Sequence, residues 1–148
     1  MKASTGLRHA MLDTGSLKSS LDGGTVKLYA GPAPLTADDA LNSQGANTLL
    51  CTITDDGGAG TLTMETAATG GGLPKLASQV WKGTNAASGT ASFFRFVASG
   101  DDGLLSTTQV RLQGTIATAG ADMNISDVNL TAAAEQAVDF FVVGLPTS

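Results

Sequence analysis

The sequence predicts an all-β chain: an antiparallel β-sandwich of jelly-roll type carrying a short N-terminal helical arm. Three observations predict it. Apolar residues recur at every second position through most of the chain. The segments so patterned are short, and turn formers such as "DDGGAG", "TGGGLP" and "GDDG" separate them. Helical spacing is confined to residues 5–21, and no internal repeat of about 20–50 residues is visible, which sets propellers and solenoids aside.

Residues 1–22 read as the arm. Leu7, Ala10, Met11, Leu17 and Leu21 fall at helical spacing, Gly15 breaks the run, and Ser16 is placed to cap a second turn, "SLKSSL". The "DGG" at 22–24 then turns the chain into the sandwich, residues 23–148. Period-two runs begin near Thr25, Thr48, Thr61, Gln79, Ala91, Asp122 and Glu135, and "TQVRLQGTI" makes an eighth. In that last run Val110, Leu112 and Ile116 share a face that should meet Cys51, Ile53, Leu62 and Met64 in the core. Gln109, Arg111 and Gln113 should then face solvent or an interface. In "MNISDVNL" the pairs Met123/Ile125 and Val128/Leu130 are out of phase, which predicts a β-bulge near Ser126 and Asp127. "GPAPLTADDALNSQG", residues 31–45, has no strand pattern and reads as a surface loop with one helical turn capped by Thr36.

Composition narrows the function. Charged residues make up 14% of the 148, against about 25% in an average domain. Much of the surface is therefore Thr, Ser, Ala and Gly, which suits a protein packed against others. Eight scattered basic residues and a net charge of −5 argue against nucleic acid as a partner. No apolar run reads as a secretion signal or a membrane helix, so the chain is expected to be made in the cytoplasm and to act away from membranes. Cys51, the only cysteine, sits in "TLLCTIT" as a small buried hydrophobe.

No catalytic constellation emerges. His9, the only histidine, lies in the arm, and no G-x-S-x-G elbow accompanies it. The pairs Asp38/Asp39, Asp55/Asp56 and Asp101/Asp102 lack calcium-loop spacing, and two of them run into glycine as turns do. With Trp81 and Tyr29 the only residues of their kinds, an aromatic sugar platform is missing. The expectation is a non-enzyme with no cofactor and no metal.

Four segments carry a resemblance: "TGLRHAMLDTGSLKSSLDGGTVKLYAGPAPLTADDAL", "WKGTNAASGTASFFRFV", "RLQGTIATAGADMNISDVNL" and "VDFFVVGLP". Together they resemble small structural proteins of tailed bacteriophages that cement or decorate an icosahedral capsid. The resemblance implies a jelly roll on the outside of the virion, the major capsid protein as partner, and a homodimer or other homo-oligomer. A tail or baseplate sandwich and a carbohydrate-binding module are the alternatives.

The phenylalanines give candidate contact residues. In "SFFRFVASGDDG", Phe94, Phe96 and Ala98 share one face, and Phe93 and Val97 share the other with Arg95. In "AVDFFVV" the sets are Val138, Phe140 and Val142 against Asp139, Phe141 and Val143. The wholly apolar sets should be core. On the mixed faces, Phe93 and Phe141 should be covered by a second copy or the shell, with Arg95 and Asp139 at the edge, or else by the arm. Leu7, Arg8, Met11 and Leu12 complete the expected interface, with the arm as the shell-binding element.

Overall fold

The arm folds as its caps dictate. In the computed structural model, which describes residues 1–145, the buried Ser4 hydroxyl accepts the Leu7 N–H at 3.0 Å and opens helix α1, Thr5–His9. A π-helical turn, Ala10–Thr14, ends at Gly15, and Ser16 caps helix α2, Leu17–Leu21. Ser16 and Ser19 satisfy each other's backbone N–H groups, a capping box with serine in the usual Glu position. Leu7 and Leu21 are wholly buried in the main core, so the arm rests on its own sandwich. Gly6 makes that contact possible, because a Cβ there would collide with the Thr108 and Gln109 carbonyls.

Twelve strands follow in the described residues: β1 (Lys2–Ala3), β2 (Thr25–Ala30), β3 (Thr48–Asp55), β4 (Gly72–Pro74), β5 (Trp81–Thr84), β6 (Gly89–Thr90), β7 (Phe93–Val97), β8 (Arg111–Ala117), β9 (Met123–Asn124), β10 (Asn129–Leu130), β11 (Glu135–Ala137) and β12 (Val142–Gly144). The main sheet runs β1-β8-β7-β2-β3-β5-β11, antiparallel throughout, and β9 adds to β8 in parallel. The pairs β10-β6 and β12-β4 form separate ribbons. The fold is all-β, antiparallel and sandwich-like with a short helical N-terminal segment. Residues 146–148, the last of the expected sandwich, lie outside the described residues.

The sheet curls on itself. Trp81, far along the sheet from β7, comes within 5.9 Å of the Phe96 ring centroid, and Phe141 stands 5.6 Å from both Trp81 and Phe94. Edge-on and tilted rings at these distances add to the burial of large apolar area. Gly114, opposite Phe94 in the β7-β8 register, leaves the space that the Phe94 ring occupies. Leu112 and Ile116 are buried in the same core with Cys51, Ile53, Leu62 and Met64, and Val110 packs partly against it.

Several elements differ from the expected ones. Near Thr61 there is no strand, only single bridges at Gly60, Leu62 and Met64. At Ser126 and Asp127 both residues are exposed and the chain leaves β9 for β10, so the phase shift is a break between two short strands. The helical turn of the 31–45 segment lies at Leu41–Gln44 rather than after Thr36, whose hydroxyl and N–H both bind the Asp39 carboxylate. β1 carries no sequence signal at two residues' length, and pairing with β8 creates it.

Candidate functional site

The mixed face of β7 is covered from within the chain, by neither a partner nor the arm. Residues 31–45 lie across it as a strap. Beneath the strap, Phe93 stacks on Tyr29 with ring centroids 5.1 Å apart. Arg95 donates from Nη2 to the Asp39 carbonyl at 2.7 Å and from Nε to Gln113 Oε1 at 2.9 Å. Gln113 Nε2 donates to the Pro34 carbonyl at 2.8 Å, and Arg111 Nη1 reaches the Ala37 and Asp38 carbonyls. Arg111 Nε is paired with the buried Asp101 carboxylate.

Arg95, Arg111 and Gln113 are thus buried, which corrects their expected place in solvent or at an interface. The stretch 34–39 of the strap has no secondary structure and presents free carbonyls, and fixed guanidinium and amide donors satisfy them. Burial, and next the neighbouring Arg111 charge, lowers the Arg95 pKa. Burial also pushes the Tyr29 hydroxyl up to about 12.

Four expected contact residues are displaced for stated reasons. Phe93 is under the strap. Phe141 is in the aromatic core, because Asp139 and Phe140 form an unpaired step between β11 and β12 that reverses the phase expected for "AVDFFVV". Phe140 is accordingly 72% exposed and Val138 and Val143 are buried. Leu7 is core. Arg95 is bound to the strap while Asp139 stands exposed at a different strand connection, so the two do not form a shared charged edge.

Arg8, Met11 and Leu12 do remain at the surface: Arg8 is exposed, Met11 half-buried and Leu12 82% exposed. Around them runs an apolar trough made of three adjoining hollows of about 260, 200 and 330 Å³. Met11 and Arg8 link the first two hollows, and Leu17, Val143 and Leu145 link the second to the third. Residues 1–22 hold Lys2, Arg8 and Lys18 against Asp13 and Asp22, a net +1, and the rest of the chain holds five basic and eleven acidic residues, a net −6. The arm is a basic element on an acidic body.

The exposed apolar side chains collect in patches. Of nine large ones among the described residues, Met1, Leu12, Leu35, Leu104, Leu105 and Leu145 sit on the arm or on segments touching it. Val80 and Phe140 stand at the far edge of the sheet, where β5 meets β11 and the Val138 N–H binds the Trp81 carbonyl, and the ninth, Leu49 on β3, belongs to neither group. No signal in a single strand's alternation marks these patches, because they are assembled from loops distant in sequence.

The chemistry of the remaining residues is plain. His9 is exposed on α1, Cys51 is buried with its thiol pushed up to about 11 by that burial, and Asp101 is engaged with Arg111. Among the described residues no three His, Cys, Asp or Glu side chains are placed to hold a metal ion, and no helix is long and apolar enough to cross a membrane. Set beside known proteins, the chain matches no family model, no curated protein and no solved structure.

Proposed function

We propose that this is a structural virion protein that binds the outside of a phage capsid and cements neighbouring major capsid subunits. The carrying observation is the division of exposed apolar surface into two patches, one at the arm and one at Val80 and Phe140, on a chain of low charge. A cement joins bodies, and therefore needs at least two contact surfaces. Contiguous exposed apolar area is what such contacts use. The resemblance of four segments to capsid cement proteins supplies the setting.

The arm is not a separable tether in this reading. Ser4, Leu7 and Leu21 are built into the sandwich, so deleting residues 1–22 should unfold it, and the test rests on surface substitutions. Purified protein incubated with capsids that lack it should co-sediment with them. The pair Val80→Ser and Phe140→Ser should abolish this while leaving the melting temperature within a few degrees. Sedimentation with isolated tails but not capsids, or binding to a glycan array alone, would replace the proposal with the tail or carbohydrate reading.

A further inference from the structure

The arm end carries two complementary surfaces side by side. One is the apolar trough, lined by Met1, Met11, Leu17, Val143 and Leu145 and edged by Arg8, which has no carboxylate within ion-pairing distance among the described residues. The other is the 101–106 loop, on which Leu104 and Leu105 are 62% and 72% exposed just beyond Asp102, whose side chain is 56% exposed and lies 3.6 Å from Arg111 Nη2. The loop has what the trough asks for: apolar side chains with an acidic neighbour. Its leucines stay in solvent within their own copy, so the trough's occupant is not its own loop.

We propose that two copies of this chain pair through the arm end, each laying Leu104 and Leu105 in the other's trough with Asp102 facing Arg8. Three further observations support a second copy as the occupant. Arg8 edges the trough with a positive charge, and on the loop two carboxylates, Asp101 and Asp102, share the single cation Arg111, so the two surfaces that meet have opposite signs. The loop is already fixed: Gly103 N–H and Leu104 N–H bind the Asp101 and Asp102 carboxylates, and Arg111 holds Asp101. Little freedom is lost when such a loop docks.

Loop and arm are also neighbours, because the Asp38 carboxylate accepts both the N–H and hydroxyl of Thr5 while the Asp38 carbonyl accepts the Ser106 N–H. Adjacent complementary patches can be exchanged reciprocally about a two-fold axis, giving a closed dimer; distant ones give a ring or an open chain. The reciprocal arrangement counts each contact twice.

This pairing goes beyond the capsid proposal and does not depend on it. Sedimentation velocity of the full chain over a concentration series should show a monomer–dimer equilibrium. Leu104→Asp with Leu105→Asp should weaken it at least about thirty-fold, as loss of an interface anchor does, with the melting temperature of the monomer preserved. Arg8→Asp should weaken it as well, and Asp102→Asn, which keeps the acceptor for the Leu104 N–H, should weaken it to a similar extent. A chain monomeric up to about 100 μM, or a dimer indifferent to the leucine changes, overturns the inference. A chain monomeric alone whose capsid sedimentation is lost on Leu105→Asp gives the loop to a shell subunit, and overturns it too. A dimer that ignores capsids keeps the pairing and removes the capsid reading.

Discussion

On one face of β7, Phe94 and Phe96 meet Trp81 and Phe141; on the other, Arg95 and its neighbours on β8 meet the bare carbonyls of a strap. Both faces are buried, but by different means. The inner face is held by area and shape, which are non-directional and tolerate a volume-conserving exchange. The outer face is held by donors aimed at particular oxygens, where removal of one partner leaves the other buried and unpaired. The strap needs no apolar pattern of its own, because its backbone is what the sheet recognises.

The largest expected effect tests the inner face. Phe96→Ala should cost about 3–5 kcal/mol in chemical unfolding, and Phe96→Leu much less. Equal losses from the two would mean that shape, and not area, governs this face. Arg111→Ala tests the outer face and should cost about 3 kcal/mol or more, because it strands the buried Asp101 carboxylate. The double change Arg111→Met with Asp101→Leu should recover most of that loss. Additive penalties in this cycle would contradict a directional pair.

Titration separates the faces without changing their volume. Tyr29 lies on the outer face, and its raised pKa means that the folded state keeps a proton the unfolded chain gives up near pH 10. Its contribution to stability is complete below pH 10 and is lost as pH rises to about 12, up to about 2–3 kcal/mol in all. Cys51 acts likewise on the inner face between about pH 9 and 11. Tyr29→Phe should flatten the upper part of the stability curve and Cys51→Ala the lower; a curve unchanged by Tyr29→Phe would show that the hydroxyl is hydrated. Smaller again, Gln113→Ala should cost about 1–3 kcal/mol by freeing the Pro34 carbonyl and Arg95 Nε, measurable as faster amide exchange in the strap.

What was legible in the sequence follows the same division. The caps at Ser16 and the break at Gly15 are local, and both are where the spacing places them. Leu112 and Ile116 are core because alternation against an apolar layer is itself the signal. Arg95, Arg111 and Gln113 misled because polar residues on alternate positions ordinarily mean solvent, and nothing in "GPAPLTADDALNSQG" announces a segment that will lie on them. Phe141 misled because one unpaired step at Asp139 and Phe140 exchanges the two sides of the chain. Of the expected contact residues, Arg8, Met11 and Leu12 kept their place at the surface, and Leu104, Leu105 and Phe140 are seen only once loops are folded together.

The pairing of β1 with β8 bears on how the chain is made. Lys2 lies opposite Gln113, and the Met1 amino group donates to Asp122, 121 residues away. At a synthesis rate of roughly 5–20 residues per second, Lys2 and Ala3 wait on the order of 6–24 seconds after their own synthesis for the segment that fixes them. During that interval Leu7 and Leu21 have no core to enter, and the nascent chain carries them in the open. A chaperone that binds short apolar segments has its window here. A circular permutant that opens the chain between Ser99 and Gly100 and joins the old ends through a flexible linker puts β8 ahead of β1 in synthesis, and should shorten the wait and raise the yield of folded protein at low chaperone levels.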